Sequence, residues 1–333
     1  MFRQKFLQVT FLSLAVSMTV VAQAPLLNGP TTVPPQAVPP SDSPQTPADM
    51  IPPNTIIVKG AEPSASDRST PVPEDGAVSK NIYMNHYLGI TLPLPSDWTE
   101  AYKGPPPSDS GNYVLAQLIP AASFKGPVKG TVLISAQDMF FSLTPTHNAM
   151  ELITFSKDHL PSYYEVEHPP AQLTIAGRSF VRFDYKSPVA GLHWYVLATQ
   201  IRCHTVQFIF TSRDTKLLDT LIENMNRIEL RADAPACIAN YAVPANMVYK
   251  VDPILTDHRF NAVPVRMIID KNGRVQHVHV ISAFPDQAQI ITDALLQWTF
   301  KPHVRDGKAV EVETGMMFRS ANTASRTTVT TND

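Results

Sequence analysis

His277 and His279 stand two positions apart in "RVQHVHVIS", the closest pair among the 10 histidines of this 333-residue chain. Alternate residues of a strand share a face, so the two imidazoles could begin a metal site. Val278 and Val280 claim the core side of that strand, which turns both histidines to solvent. His258 and His303 are the only nearby candidates for a third ligand, so neither metal nor cofactor is expected. Nucleophilic chemistry fares no better. There is no Gly-x-Ser-x-Gly elbow, no His-Glu-x-x-His and no glycine-rich loop before a helix, and Ser179 in "AGRSF" reads as a solvated hydroxyl of a hairpin. Glu165 and Glu167, beside Pro169 and Pro170, read as a solvated pair in a loop. Trp98, Tyr102, Tyr163, Tyr164, Trp194 and Tyr195 could line a ligand groove, although core packing is the commoner use of such residues. The expectation is a non-catalytic protein.

Charge excludes two further classes. With 27 basic and 29 acidic residues the net charge is −2. Nothing in it resembles the basic footprint needed for nucleic acid or an anionic membrane.

The N-terminus gives the compartment. "MFRQKFLQVTFLSLAVSMTVVAQA" sets Arg3 and Lys5 before an apolar run that ends in Ala22-Gln23-Ala24, the pattern of a cleavable signal peptide over residues 1–24. Cleavage would leave a periplasmic or secreted chain with no membrane insertion. A retained inner-membrane anchor is the alternative, with a run at the short limit for spanning a bilayer. Export also bears on Cys203 and Cys237, the only two cysteines. In an oxidising compartment they can pair as a structural disulfide, the other reading being two buried thiols.

Residues 25–79 carry proline every few positions and no apolar period, so they read as a disordered tether sampling polyproline II. An α+β domain is expected over 80–232. "YLGITLPLPSDW", "YVLAQLIP" and "GTVLISAQDMFF" read as strands, and Asn148 with Glu151 starts a helix. Hairpins follow around Ala176-Gly177 and at Arg202 to His204, before a second helix striped by Leu217, Leu218, Leu221, Ile222 and Met225. This antiparallel sheet with two covering helices resembles the PsbP-like α/β sandwich domains, a resemblance of pattern opened by "LGITLPLPSDW".

A connector over 233–240 leads to a second domain, 241–319, and to a polar tail, 320–333, without core-forming pattern. "AVPVRMIID", the Asn272-Gly273 turn and "RVQHVHVIS" form a hairpin. Pro285 and Asp286 open a helix, and a last strand follows the Asp306-Gly307 turn as far as Phe318. The order is ββαβ. Asp270, Gly273, Val275, Trp298, Phe300, Pro302 and Gly307 fall on the pattern of the TonB family C-terminal domain, an Asp-x-x-Gly-x-Val hairpin followed by a helix and Trp-x-Phe-x-Pro, which residues 241–319 resemble, chiefly over 262–318.

That resemblance implies a periplasmic, non-catalytic domain that binds an extended segment of a protein partner, as a rule the plug of an outer-membrane transporter, by strand addition. By the same analogy the partner-binding edge is Ala309, Val310, Glu311, Val312, Glu313 and Thr314, where charge alternates with valine. The layout also matches an anchored energy transducer for transport, but the N-terminal segment has no histidine and looks cleavable, and the tyrosine-proline motif before the first strand is replaced by "VDPILTDHRF". A secreted hydrolase with the TonB-like unit as a scaffold is the remaining rival.

Overall fold

The computed structural model of the chain describes residues 62–66, 73, 76–96, 98–102, 111–121, 130–142, 144, 146–231, 234–254 and 263–318. The expected signal peptide, most of the tether, His258 and the polar tail lie outside them. No helix among the described residues is long and apolar enough to cross a membrane.

The fold is α+β and built mainly of antiparallel sheet. The first strands are β1 (Glu62–Ser66), β2 (Ala77–Ser79), β3 (Ile82–Asn85), β4 (Ile90–Pro93), β5 (Trp98–Tyr102), β6 (Asn112–Pro120) and β7 (Gly130–Asp138). Helix α1 (Ala149–Asp158) precedes β8 (Glu165–Ile175), β9 (Arg178–Ser187), β10 (Leu192–Ile201) and β11 (His204–Ser212). Helix α2 (Thr215–Asn224) then leads to β12 (Glu229–Leu230), β13 (Ala236–Cys237) and β14 (Met247–Tyr249). The chain finishes with β15 (Val263–Ile269), β16 (Val275–Ala283), α3 (Pro285–Leu295), β17 (Thr299–Phe300), β18 (His303–Arg305), β19 (Lys308–Val310) and β20 (Val312–Phe318).

Local chemistry starts each helix. Asn148 accepts from the Glu151 amide at 2.9 Å while the Glu151 carboxylate reaches back to the His147 amide at 2.8 Å, a reciprocal cap that uses two otherwise orphaned donors. Asp214 caps α2 through the Lys216 amide at 3.0 Å, and Pro285 occupies the first turn of α3, where its missing N–H costs nothing.

The first domain is a seven-stranded sheet, β5-β6-β7-β11-β10-β9-β8, covered on both faces. On one side Ile153 of α1 meets Phe183, Tyr185, Trp194 and Val196. On the other, Leu218 and Leu221 of α2 share a core with Leu115, Phe208 and Phe210 and with Tyr83, Ile90 and Leu92 of the small sheet β12-β4-β3-β2. Most of the aromatic residues proposed as a groove are thereby used for packing, since Trp98, Trp194 and Tyr195 are buried and Tyr164 stacks edge-on against Tyr185 and Trp194. Tyr163 is exposed, and the Tyr102 side chain lies outside the described residues.

The second domain is a five-stranded sheet, β1-β16-β15-β20-β13, with α3 on one face. Val265, Met267, Val278 and Val280 point into that core against Ile291, Leu295 and Trp298. Several expectations are corrected here. The tether assignment ends too late, because β1 pairs antiparallel with β16 and β2 with β3. The connector contains β13, which pairs in parallel with β20. Glu165 and Glu167 belong to β8 rather than a loop, since Pro169 and Pro170 sit on a sheet edge, where a missing N–H is tolerated. The single last strand is two. Asp306 and Gly307, at φ 52° and 74°, fold β19 back on β18, and only from Val312 does the chain join the main sheet.

Candidate peptide-binding edge

The motif residues assemble as one unit. The Asp270 carboxylate accepts from the Asn272 and Arg274 amides, each at 2.8 Å, and fixes the β15–β16 turn. Gly273 carries φ 82°, and a Cβ there would collide with the Phe300 carbonyl, so glycine is required both by conformation and by space. The close approach is used, for Phe300 N donates to the Gly273 carbonyl at 2.7 Å. Trp298 and Phe300 are buried in the core with Val275, and the Trp298 indole donates to the Val251 carbonyl at 2.7 Å. Pro302 is exposed just before β18, and Gly307 makes the β18–β19 turn. The hairpin, the helix end and the short strand between them are thus locked by backbone bonds, with two aromatic rings filling the angle.

The expected edge of Ala309 to Thr314 is divided between two sheets. Ala309 and Val310 pair with β18, and Val312, Glu313 and Thr314 are buried. Beyond β20 lies β13, whose Ala236 N donates to the Glu311 carbonyl at 2.7 Å, and Ile238 N donates to that of Glu313 at 3.0 Å. The connector, which carries no strand pattern in sequence, thus covers the first half of β20.

β13 stops there. From Gly315 to Phe318, β20 has β15 on one side and no strand on the other among the described residues. Beside this stretch runs a groove of about 450 Å³ lined by Pro244, Met247, Lys250, Trp298, Met316, Met317 and Phe318. Its floor is apolar and rich in methionine, whose unbranched thioether adapts to varied ligands. The Lys250 ammonium lies 5.6 Å from the centre of the Trp298 ring and pairs with Asp252 at 2.5 Å, which puts a charge at the rim. Val248, Tyr249 and Ile254 are exposed apolar residues nearby in sequence.

The histidines expected to face solvent are buried. His277, His279, Arg266 and Glu313 occupy the sheet face opposite α3, and that face lies against the first domain. Arg266 is the centre of the contact. It is ion-paired to Asp138 at the end of β7, donates to the Tyr87 hydroxyl at 3.1 Å, to that of Tyr113 at 3.3 Å and to His279 Nδ1 at 3.3 Å, and has Nε 3.5 Å from Glu313. The Tyr87 hydroxyl donates to Glu313, which also takes a 2.8 Å bond from Arg202 Nε in the β10–β11 turn. The Arg202 guanidinium lies 3.9 Å from the centre of the Tyr87 ring. Burial pushes the Glu313 carboxyl up, but Arg202 and Arg266 more than offset it and hold it below the usual range. Next to these residues Cys203 and Cys237 form a disulfide with 5.2 Å between Cα atoms, tying the first domain to β13.

Among the described residues no three His, Cys, Asp or Glu side chains gather as a ligand set. Ser179 is the second residue of β9, just past the Ala176-Gly177 turn. His303 stands edge-on to Tyr241 at 5.6 Å.

No family model matches the chain, and no curated protein matches it. Solved structures similar to the chain at low identity include these three. Cyanobacterial PsbP (CyanoP) from Synechocystis sp. PCC 6803 has 12% identity over 45% of this chain and 91% of that one, with a TM-score of 0.33. LpqN of Mycobacterium tuberculosis, described as involved in cell envelope biogenesis, has 14% identity over 49% and 86%, with a TM-score of 0.28. A protein from Bacteroides thetaiotaomicron has 13% identity over 44% of this chain, with a TM-score of 0.29, and the chain spans 46% of its length.

Proposed function

We propose that this chain is an exported, non-catalytic binding protein of the bacterial envelope that captures an extended peptide of a protein partner by strand addition. The capture site is β20 from Gly315 to Phe318, with the adjoining methionine-lined groove taking one or two apolar side chains of the incoming strand. One observation carries this reading: the half of β20 that β13 leaves uncovered is the half that borders the groove. Strand addition needs both, because backbone bonds supply affinity and side-chain pockets supply specificity. The TonB-like motif supports the same reading, and the resemblance implies a partner of the outer-membrane transporter type. The disulfide supports export, since such bonds persist in oxidising compartments.

A randomised-peptide selection against the full chain tests this. Selected peptides should slow hydrogen exchange in β20 between Gly315 and Phe318 and should lose binding in Met317→Pro, which removes a backbone donor at the edge. Binders that protect only the seven-stranded sheet, or no binder at all, would overturn it.

A further inference from the structure

The contact between the two domains holds charge in an unusual balance. Arg202 and Arg266 bring two positive charges, Asp138 and Glu313 two negative ones, and all four side chains lie almost wholly out of solvent. Two imidazoles stand within this neutral set. His204, at the start of β11, has the rings of Tyr87 and Tyr113 edge-on at 5.5 and 5.6 Å, Asp138 opposite it on β7, Arg202 two residues before it, and Glu313 facing it from β20. His279, on β16, faces Arg266 from β15, His277 on its own strand and His204 from the first domain.

Both must be uncharged for the contact to hold. His279 Nδ1 accepts from the Arg266 guanidinium, and a proton there would set donor against donor. Neither ring nitrogen of His204 has a hydrogen-bond partner among the described residues, so an imidazolium would leave two buried N–H groups unsatisfied.

We infer that the junction between the two domains is an acid-sensitive lock: protonation of His204 and His279 drives the two sheets apart and uncovers the face that carries Arg266, His277, His279 and Glu313. The Cys203–Cys237 disulfide keeps the domains joined when that face opens, so the change is reversible.

The window follows from the groups themselves. Burial pushes His204 down to about 4 from the usual 6.5, with Glu313 opposing and Arg202 reinforcing. Burial, and then Arg266, hold His279 well below the usual value. The closed form therefore binds fewer protons than the open one, and its stability is full above about pH 6.5 and falls as pH drops toward about 4. Glu313 acts in the same direction, because a depressed carboxyl contributes stability that is lost in acid.

Small-angle scattering on the full, disulfide-intact chain between pH 7.5 and pH 4 tests the lock, with far-UV circular dichroism recorded alongside. The radius of gyration should rise below about pH 6.5 and return on neutralisation while secondary structure is kept, and His204→Phe with His279→Leu should abolish the transition or move its midpoint down by about one pH unit or more. An unchanged radius down to pH 4, or a double variant that opens at the pH of the parent, would overturn the inference. Should the double variant not fold, a histidine NMR titration of the parent decides. Two imidazoles that take up protons together with the expansion support the lock, and titration near 6.5 without expansion refutes it.

Discussion

Arg266 of β15 and Asp138 of β7, 128 positions apart in sequence by subtraction, form an ion pair across the two domains with 1% and 0% of their side-chain surfaces exposed. Such a pair adds little net stability, because desolvating two charges offsets their attraction, yet breaking it strands a buried charge. Asp138→Asn is therefore expected to cost about 3–5 kcal/mol in denaturant unfolding. Asp138→Leu with Arg266→Met should recover at least half of that loss, which a comparison of unfolding midpoints at constant slope would show.

Two glycines with the same conformation should respond differently to alanine. Gly273 and Gly307 have φ 82° and 74°, but only Gly273 has a backbone carbonyl, that of Phe300, in the space of a Cβ, while nothing lies within 4 Å of Gly307. Gly307→Ala should cost about 1 kcal/mol from conformational strain alone. Gly273→Ala should cost at least about 2 kcal/mol more, since it must also break the Phe300 bond that docks the hairpin on the Trp298 segment. Thermal unfolding of the two variants checks the difference.

The disulfide closes a loop from the first domain to the strand that covers β20. Replacing Cys203 and Cys237 with serine should lower stability by about 3–4 kcal/mol on the chain-entropy estimate. Hydrogen exchange should also rise at Ile238, whose amide bonds the Glu313 carbonyl at 3.0 Å. Protection of Ile238 unchanged in the reduced or serine protein would show that β13 holds its place without the bond.

Turn chemistry and periodicity made much of this fold legible. Asn272-Gly273, Asp306-Gly307 and Ala176-Gly177 announce hairpins because each needs a left-handed backbone, and all three pairs supply one. Asn148 and Pro285 announce helices, the first by accepting from an orphaned first-turn donor and the second by lacking one. What could not be read was contact at a distance. β13 is two residues long and β1 is "EPSAS", neither with the β-branched or apolar pattern of a strand, and both exist because a neighbouring edge accepts them. The alternation of valine with histidine in β16 looked like an ordinary solvated face. A signal was present, since Ile268 and Ile281 share that face with Arg266, His277 and His279, and a wet face seldom carries isoleucine at its centre. The partners that bury it, Tyr87, Tyr113, Asp138 and Arg202, come from a different domain, and no local pattern reports them.

The peptide-capture role depends on one short stretch of strand, and site-directed photocrosslinking in intact envelope fractions addresses it. A photoreactive residue at Met317 should crosslink to a single extended segment of a partner protein, and a peptide selected on the purified chain should suppress the product. The same residue at Val189, 95% exposed in the β9–β10 turn, should give none. Equal products from both positions, or none from Met317 while the selected peptide still binds elsewhere, would contradict capture at the open half of β20.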